Sequence, residues 1–361
     1  MPSVDSKLDP AAFRAALRPW LAAQLDAPDL TISTSDVPKQ GMSNETVLFD
    51  ASWTTAAGPD AASFVLRMTP ADNQLFLGGD VRLQYEMTCA ARRHGIPAAN
   101  CRWFEPDDSV LGTPFYVMDR VVGRTPLDVP SYNAEGWVKD LTAAERGTLW
   151  VKGMEQLVRI HQLDHMHDDF AILRERAGGR QGLDIVLDHL DEWCRASLDG
   201  RAHRTIDPAM AWLFEHRPVH EPPVGVSWGD ARIGNMIFGD DLSVVAVTDW
   251  EMASIAPAEV DLAWWLLLDE FFSTTYRHER LAGLPDAAAT VEYHERQLGR
   301  PLQDLRWYDV LAITRYAAAM VRMGDLFARS GAQPDDIFVH VNPIVSMLAE
   351  RLGLPAPSRP E

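Results

Sequence analysis

Residues 226–238 read Val226-Ser227-Trp228-Gly229-Asp230-Ala231-Arg232-Ile233-Gly234-Asn235-Met236-Ile237-Phe238. The apolar, β-prone ends of this stretch predict two short strands, and its polar middle predicts a connecting loop. A second β-like run follows shortly afterwards and leads into Asp249. The stretch therefore places an Asp and an Asn, five residues apart, on one loop, with a second Asp at the end of the next strand.

These three side chains suit phosphoryl transfer. One carboxylate can orient an attacking hydroxyl and accept its proton, while an amide oxygen and a second carboxylate hold magnesium against nucleotide phosphates. Magnesium prefers oxygen ligands, and Asp230, Asn235 and Asp249 supply them without His or Cys. An Asp–Asn pair can also simply cap a turn. The spacing and order of these residues, together with the strands on either side of the loop, favour a role in phosphoryl transfer over a turn cap.

The stretch resembles aminoglycoside phosphotransferases, choline kinases and related small-molecule kinases, which carry His-Gly-Asp-x-x-x-x-Asn followed by an Asp-x-x element. The resemblance implies that Asp230 is the catalytic Asp and that Asn235 and Asp249 are metal ligands. It also implies that Arg232 steadies the transferred phosphate, since a guanidinium holds phosphate oxygens at two points. The implied cofactors are ATP and Mg²⁺, and the implied acceptor is a hydroxyl group of a small molecule.

One residue departs from the family pattern, because Trp228 stands where the family has His. We interpret that His as a brace for the loop, so its replacement should leave the chemistry intact. A nucleotide-binding pseudokinase, acting as a binding module, is the alternative from another class of protein. Downstream, Asp261 opens a predicted helix, and we expect it to bond the backbone of the catalytic loop.

The order of predicted elements gives the architecture. The patterns predict a first helix over 10–25 and a strand-rich hairpin over 46–68. A second helix over 78–93 and two short strands within 100–119 follow. Long helical patterns then dominate, with one strand-rich island at 224–248. The sequence predicts an α+β, bilobal, protein-kinase-like fold, with a small antiparallel-sheet N-terminal lobe over 1–119 and a larger, mainly helical C-terminal lobe over 120–361.

The nucleotide-binding residues are inferred mainly from the resemblance. Gly41, Ser43 and Asn44 match the family's Gly-x-Ser-Asn loop, where glycine lets the backbone approach phosphate closely. The family also pairs a cation on the third strand with a glutamate on the next helix, and Arg67 and Glu86 are the predicted pair.

The connector between the lobes is expected to hold the adenine. The resemblance places the backbone of Asp119 and Val121 at the adenine edge, and Met118 behind the ring. A group of histidines and aspartates at 161–169 invites a zinc interpretation, but His161 fits the family's Ile-His-x-Leu-Asp element, and we do not favour zinc there.

Composition restricts the partners and the compartment. Lys and Arg total 33 against 52 Asp and Glu, a formal net charge of −19, which repels nucleic acid and anionic membranes. The three cysteines have no Cys-x-x-Cys spacing and favour a reducing compartment. The most apolar run, 262–268, is shorter than the ~20 residues that cross a bilayer. No N-terminal signal is apparent, and we expect a cytoplasmic protein.

The sequence leaves the acceptor open. Several acidic residues would suit a polyamine such as an aminoglycoside if they line the cleft: Asp269, Glu270, Asp325, Asp335 and Asp336. The Asp-Trp-Glu form of the metal element at 249–251 instead resembles the branch with hydroxyacyl-CoA kinase domains, attached to or encoded with acyl-CoA dehydrogenases. That acceptor would be anionic. Regiochemistry, nucleotide preference and oligomeric state are equally undetermined by the sequence.

Overall fold

The N-terminal part of the chain forms a five-stranded antiparallel sheet flanked by two helices. The computed structural model describes residues 10–34, 45–69, 80–180, 182–275, 277–330 and 337–358. The N-terminal elements are α1 (Pro10–Leu25), β1 (Thr31–Thr34), β2 (Glu45–Thr55), β3 (Gly58–Met68), α2 (Val81–Arg93), β4 (Cys101–Glu105) and β5 (Phe115–Asp119). The strand order is β1-β2-β3-β5-β4, with every neighbouring pair antiparallel.

The β2–β3 hairpin confirms the predicted one. Its two strands pair from Glu45 opposite Met68 to Thr55 opposite Gly58. Alternate residues of β2 are buried, as expected when one face of a sheet meets a core, whereas β3 buries the three consecutive residues 64–66 and then Met68. The apolar stripe of α1 covers that face, at the helical spacing that the sequence shows. The buried residues are Phe13, Leu17 and Leu21 of α1 with Val47, Phe49, Phe64, Leu66 and Met68 of the hairpin.

The apolar face of α2 packs into a different core from the sheet, although the helix lies between two strands of that sheet in sequence. The Asp80 side chain caps its first turn by accepting the backbone N–H of Arg82, at 2.8 Å. The buried face of the helix, which includes Leu83, Met87 and Ala90, packs into the core of the larger lobe. The sheet and α1 form a separate apolar cluster.

The larger lobe is mainly helical, as predicted. Its elements are α3 (Trp137–Asp140), α4 (Ala143–His161), α5 (Ala171–Ala177), α6 (Leu183–Leu198), α7 (Ile206–Glu215), β6 (Val224–Ser227), β7 (Met236–Phe238), β8 (Val244–Val247), β9 (Ser254–Pro257), α8 (Ala258–Glu270), α9 (Ala287–Leu298), α10 (Leu305–Ser330), α11 (Ile337–His340) and α12 (Pro343–Leu352). The 26-residue α10 packs against α6, α8 and α12. Within the described ranges, no helix combines the length and the apolarity needed to cross a bilayer.

The strand-rich island forms two small sheets that carry the loop at 228–235. Strand β6 pairs with β9, and β7 pairs with β8, both antiparallel. The loop therefore leaves one small sheet and enters the other, with both ends anchored by backbone hydrogen bonds. A boundary between lobes at 119/120 coincides with the end of β5 and stays a prediction.

Candidate active site

A buried carboxylate holds the entrance to the loop. Asp261, in the first turn of α8, accepts the backbone N–H groups of Trp228 at 2.7 Å and Gly229 at 2.9 Å. It also accepts the Ser227 hydroxyl at 2.8 Å and lies 2.9 Å from His161 Nε2. Burial opposes ionisation, but His161 and the other donors outweigh it and lower the pKa of Asp261. This aspartate therefore bonds the loop backbone, as the sequence predicted.

Gly229 makes a close backbone approach that no larger residue allows. Its φ of 92° lies where L-residues are strained, and an added Cβ would sit 2.2 Å from the Met252 carbonyl oxygen. Its own carbonyl oxygen accepts a hydrogen bond from Arg315 Nη2 at 2.8 Å. The turn into the loop is thus fixed by a required glycine and by a side chain of α10.

The carboxylate of Asp230 is buried and held from both sides. Its Oδ1 accepts the Trp264 indole N–H at 2.7 Å, and its Oδ2 accepts Asn235 Nδ2 at 2.7 Å and Arg232 Nε at 3.1 Å. Burial disfavours the charge, but Arg232 and these hydrogen bonds hold the pKa of Asp230 below its ordinary value. The group is an oriented anion, and among the described residues no hydrogen bond engages the amide oxygen of Asn235.

Arg232 lies between two carboxylates. Its Nη1 bonds Asp128 from the segment after β5, and its Nε bonds Asp230. Burial raises the pKa of Asp128, although Arg232 counteracts part of that effect. The pKa of Arg232 is raised because both carboxylates outweigh the cost of burying its charge. The sequence did not reveal Asp128, which lies 104 residues from Arg232 along the chain.

Asp249 follows β8 and faces the N-terminal lobe. Its backbone adopts a φ of 64°, in the left-handed region that Asp tolerates better than most residues. Its Oδ1 accepts Arg67 Nη2 from β3 at 3.2 Å. The preceding Thr248 donates its backbone N–H and its hydroxyl to the Asn235 carbonyl oxygen, both at 2.9 Å. Asp230, Asn235 and Asp249 are thereby joined in one hydrogen-bonded assembly between the lobes.

Trp228 links the same two segments. Its side chain is fully buried, and its indole Nε1 donates to the Thr248 carbonyl oxygen at 2.9 Å. The residue that replaces the family His therefore connects the loop to the segment that carries Asp249. This contact supports our interpretation of that position as a brace.

The predicted pairing of Arg67 with Glu86 is corrected by the structure. Arg67 pairs with Asp249, whereas Glu86 pairs with Arg82 one turn away on α2, at 2.7 Å. The helical phase explains the difference, because α2 buries Gln84 and leaves Glu86 on a partly exposed face. Both amide atoms of the Gln84 side chain, and Arg67 Nε, are buried without a hydrogen-bond partner among the described residues.

The predicted adenine-binding segment is partly described. Met118 lies on β5 opposite Val65 and Cys101. The backbone N–H of Asp119 donates to Asn100 O at 2.9 Å, so this amide is already engaged. The backbone N–H of Val121, in contrast, has no partner among the described residues. Gly41, Ser43 and Asn44 lie outside the described residues, and their role stays a prediction.

Two residues of the larger lobe hold the site in ways that the sequence did not predict. Trp264 donates its indole N–H to the Asp230 carboxylate. The guanidinium of Arg315 lies 4.4 Å above the Trp264 ring, and burial lowers its pKa to about 10. Arg315 could have been singled out from the sequence, because it is a cation on the apolar face of a predicted helix.

A five-stranded sheet, a helical lobe and an Asp–Asn–Asp set with an arginine between them define a kinase-like phosphotransferase. The comparison with family models gives the same answer. The chain belongs to the phosphotransferase enzyme family, whose model matches residues 37–298.

Curated relatives share a modest part of their length with the chain. Acyl-CoA dehydrogenase family member 11 of Homo sapiens is 26% identical over 301 residues, which cover 80% of this chain and 36% of the relative. The Gallus gallus protein of the same name is 30% identical over 207 residues, covering 56% and 25%. The chain thus spans about a third of the length of these relatives, or less.

Solved structures share the protein-kinase-like fold. A Ralstonia eutropha protein, provisionally named an aminoglycoside phosphotransferase, has a TM-score of 0.67 at 21% identity and covers 94% of this chain and 98% of its own. Choline kinase LicA from Streptococcus pneumoniae has a TM-score of 0.56 at 12% identity, covering 93% and 98%. These matches confirm the predicted fold.

Proposed function

We propose that the chain is an ATP- and Mg²⁺-dependent phosphotransferase that transfers the γ-phosphate to a hydroxyl group of a small molecule. The observation that carries the proposal is the assembly of Asp230, Asn235 and Asp249, in which an ionised carboxylate stands beside two oxygen ligands. Oxygen donors of this kind fit Mg²⁺. When bound by Asn235 and Asp249, Mg²⁺ would neutralise charge on the nucleotide phosphates.

Asp230 would orient the acceptor hydroxyl and take its proton. Because the pKa of this carboxylate is low, it is a weak base, and its main contribution is to hold the hydroxyl in line with the phosphate. Phosphoryl transfer through a loose transition state needs little base strength early in the reaction. The proton would move to Asp230 late, as the new O–P bond forms.

Two buried arginines would handle the negative charge of the nucleotide. Arg232 stands next to Asp230, where a guanidinium can contact the transferred phosphate. Arg67 enters from β3 and lies beside Asp249, where it can contact the remaining phosphates. The pKa of each stays raised by the surrounding carboxylates, despite burial, so both remain charged. They place two positive charges at the site of a protein whose net charge is −19.

The acidic residues considered for binding a polyamine are mostly neutralised. Asp269 pairs with Arg280 at 2.8 Å, and Asp325 pairs with Arg201 at 2.7 Å. Glu270 pairs with Arg351 at 2.5 Å. Asp335 and Asp336 lie outside the described residues. The carboxylates that the structure describes therefore give little support to an aminoglycoside acceptor.

A cavity of about 10 Å³ beside Arg232 has an apolar wall but room for only about one water-sized group. Most of its wall is aromatic or aliphatic, contributed by Tyr132, Trp150, Trp265, Leu268 and Phe272. Its two carboxylates, Asp128 and Asp269, are each paired with an arginine. The relatives named acyl-CoA dehydrogenases, together with the Asp-Trp-Glu element at 249–251, lead us to propose a hydroxyacyl-CoA as the acceptor class. An aminoglycoside is the second candidate.

The test is ADP release from Mg-ATP against hydroxyacyl-CoAs of several chain lengths, aminoglycosides, choline and macrolides. Asp230→Asn serves as the inactive control, because it keeps the shape of the side chain. Turnover of a hydroxyacyl-CoA that disappears in the variant supports both parts of the proposal. Turnover of an aminoglycoside alone overturns the acceptor class. ATP binding without turnover on any acceptor favours the pseudokinase.

A further inference from the structure

A cluster of metal-ligand side chains lies at the far end of α2, where it meets the larger lobe. His94 follows the last residue of α2, and His167 and Asp169 belong to the short 3-10 segment that leads into α5. One ligand atom from each of the three residues falls within 4.8 Å of the others. We propose that His94, His167 and Asp169 bind a transition-metal ion of the zinc class and thereby fasten α2 to the larger lobe.

The distances fit a tetrahedral ion. Nε2 of His94 lies 3.0 Å from Asp169 Oδ2, and Nδ1 of His167 lies 3.6 Å from the same oxygen. Zinc lies about 2.0–2.2 Å from nitrogen and oxygen ligands, which separates the ligand atoms of a tetrahedral site by about 3.3–3.6 Å. The two separations are close to this range. Small side-chain rotations would complete the geometry.

The ligand types select the metal. Two imidazoles and one carboxylate suit zinc and its neighbours, whereas Mg²⁺ takes oxygen ligands. This site is therefore chemically distinct from the one formed by Asn235 and Asp249. Three protein ligands also leave a fourth position for water. The two imidazoles lie close together, with ring centroids 4.6 Å apart.

Arg93 positions the carboxylate for this role. Its Nη2 donates to Asp169 Oδ1 at 2.6 Å, which leaves Oδ2 as the oxygen that faces both imidazoles. Hydrogen bonds that orient a ligating carboxylate are a regular part of metal sites. The hydrogen bond from Arg93 contributes most to lowering the pKa of Asp169, so the ligand is ionised at neutral pH. The side chain of His167 is 51% exposed, which gives an ion access.

Two hydrogen bonds would have to be exchanged, and the first joins His94 Nε2 to Asp169 Oδ2 at 3.0 Å. Nδ1 of His167 accepts the backbone N–H of Asp169 at 3.2 Å, and coordination through this atom would replace that contact. The same contacts, without a metal, form an ion-pair network between α2 and the larger lobe. A metal site would take up zinc or cobalt at micromolar concentration, whereas an ion-pair network would not. An experiment distinguishes the two.

The experiment titrates chelator-treated protein with Co²⁺ and with Zn²⁺, in the absence of nucleotide and acceptor. Calorimetry gives the stoichiometry, and the visible absorption of Co²⁺ reports the ligand field. All proteins carry Asp249→Asn, which removes binding at the other site. We expect one equivalent of metal, an affinity at least tenfold lower in His94→Ala and in Asp169→Asn, and no change in His165→Ala, whose histidine lies in the same loop.

Each outcome decides the proposal. Absence of Co²⁺ and Zn²⁺ binding overturns it, and so does binding that is equal in His94→Ala and His165→Ala. Circular dichroism confirms that each variant is folded, and Asp169→Asn provides a second, nearly isosteric test if His94→Ala is unstable. Because no phosphoryl transfer is measured, the result is independent of the proposed kinase activity.

Discussion

The indole N–H of Trp228 and the carbonyl oxygen of Thr248 form a 2.9 Å hydrogen bond between the loop that carries Asp230 and the segment that carries Asp249. Trp228 is fully buried, and Thr248 is partly buried. An unpaired carbonyl in such a place costs about 1–3 kcal/mol. The bond therefore contributes to the relative position of the two carboxylates on which the proposed reaction depends.

The contribution of this hydrogen bond can be tested by removing the N–H of Trp228 while keeping an aromatic ring. We expect Trp228→Phe to lower kcat by about tenfold or more, because loss of about 1–3 kcal/mol would loosen the loop against Asp249. Trp228→His, which restores a ring N–H, should recover part of the loss. Trp250→Phe is the matched control, because that neighbouring buried indole makes a longer bond, 3.3 Å, to Val247 O. Equal effects of the two Phe substitutions would contradict the brace.

Asp230→Asn separates chemistry from nucleotide binding. The amide keeps the size of the side chain but cannot accept the hydroxyl proton, and we expect kcat to fall by about 10²–10⁴-fold. Affinity for Mg-ATP should change little, because Asn235 and Asp249 are intact. Steady-state kinetics and calorimetry measure the two quantities. An activity within a few-fold of wild type would exclude Asp230 as the proton acceptor.

Asp249→Ala tests the metal assignment. We expect Mg-ATP affinity to drop by at least tenfold, whereas ATP affinity in EDTA should differ little between variant and wild type, because the carboxylate would act through the ion. Asp240→Ala provides the control, since that carboxylate is fully exposed near the β7–β8 turn. If the variant binds Mg-ATP as wild type does, Asp249 is not the principal metal ligand.

His294 should make stability depend on pH. Its side chain is fully buried against His161, and burial lowers its pKa to about 3. The unfolded chain takes up this proton near pH 6.5, so between about pH 6.5 and 3 the unfolded state binds more protons and stability falls as pH falls. From pH 7 to pH 5 the loss should be about 1–2 kcal/mol.

Urea unfolding at pH 7 and pH 5 measures this effect. His294→Gln cannot take up the proton, so its free energy of unfolding should fall less than that of wild type over the same interval. Other groups titrate equally in both proteins and cancel in the comparison. An identical pH dependence in the two proteins would show that His294 titrates normally in the folded state.

Local sequence patterns were sufficient to predict the loop and strands that carry Asp230, Asn235 and Asp249. The spacing of Asp230 and Asn235 and the strand before Asp249 depend on residues that are close in sequence, and the structure keeps that order. The β2–β3 hairpin was predicted for the same reason, since alternation and a turn signal lie within one short stretch. Where neighbours in sequence determine a feature, the prediction needed no knowledge of tertiary contacts.

Long-range partners could not be predicted in this way. Asp128 meets Arg232 across 104 residues, and Arg67 meets Asp249 across 182. The error at Glu86 was avoidable, however, because the apolar phase of α2, through Leu83 and Met87, places position 84 rather than 86 near the buried face. The sequence drew attention to the histidines and aspartates at 161–169, for which we did not favour zinc, but it did not reveal that His94 lies beside His167 and Asp169, which are 73 and 75 residues away.

The placement of α2 has a mechanical consequence. The apolar face of α2 belongs to the core of the larger lobe, although the helix lies between strands of the sheet in sequence. Because α2 also contacts β4 and β5, any motion of the sheet relative to the larger lobe would have to change the contacts of α2 on one side or the other. The stacked rings of Tyr85 on α2 and Phe104 on β4, 5.4 Å apart, are one of the contacts between this helix and the sheet.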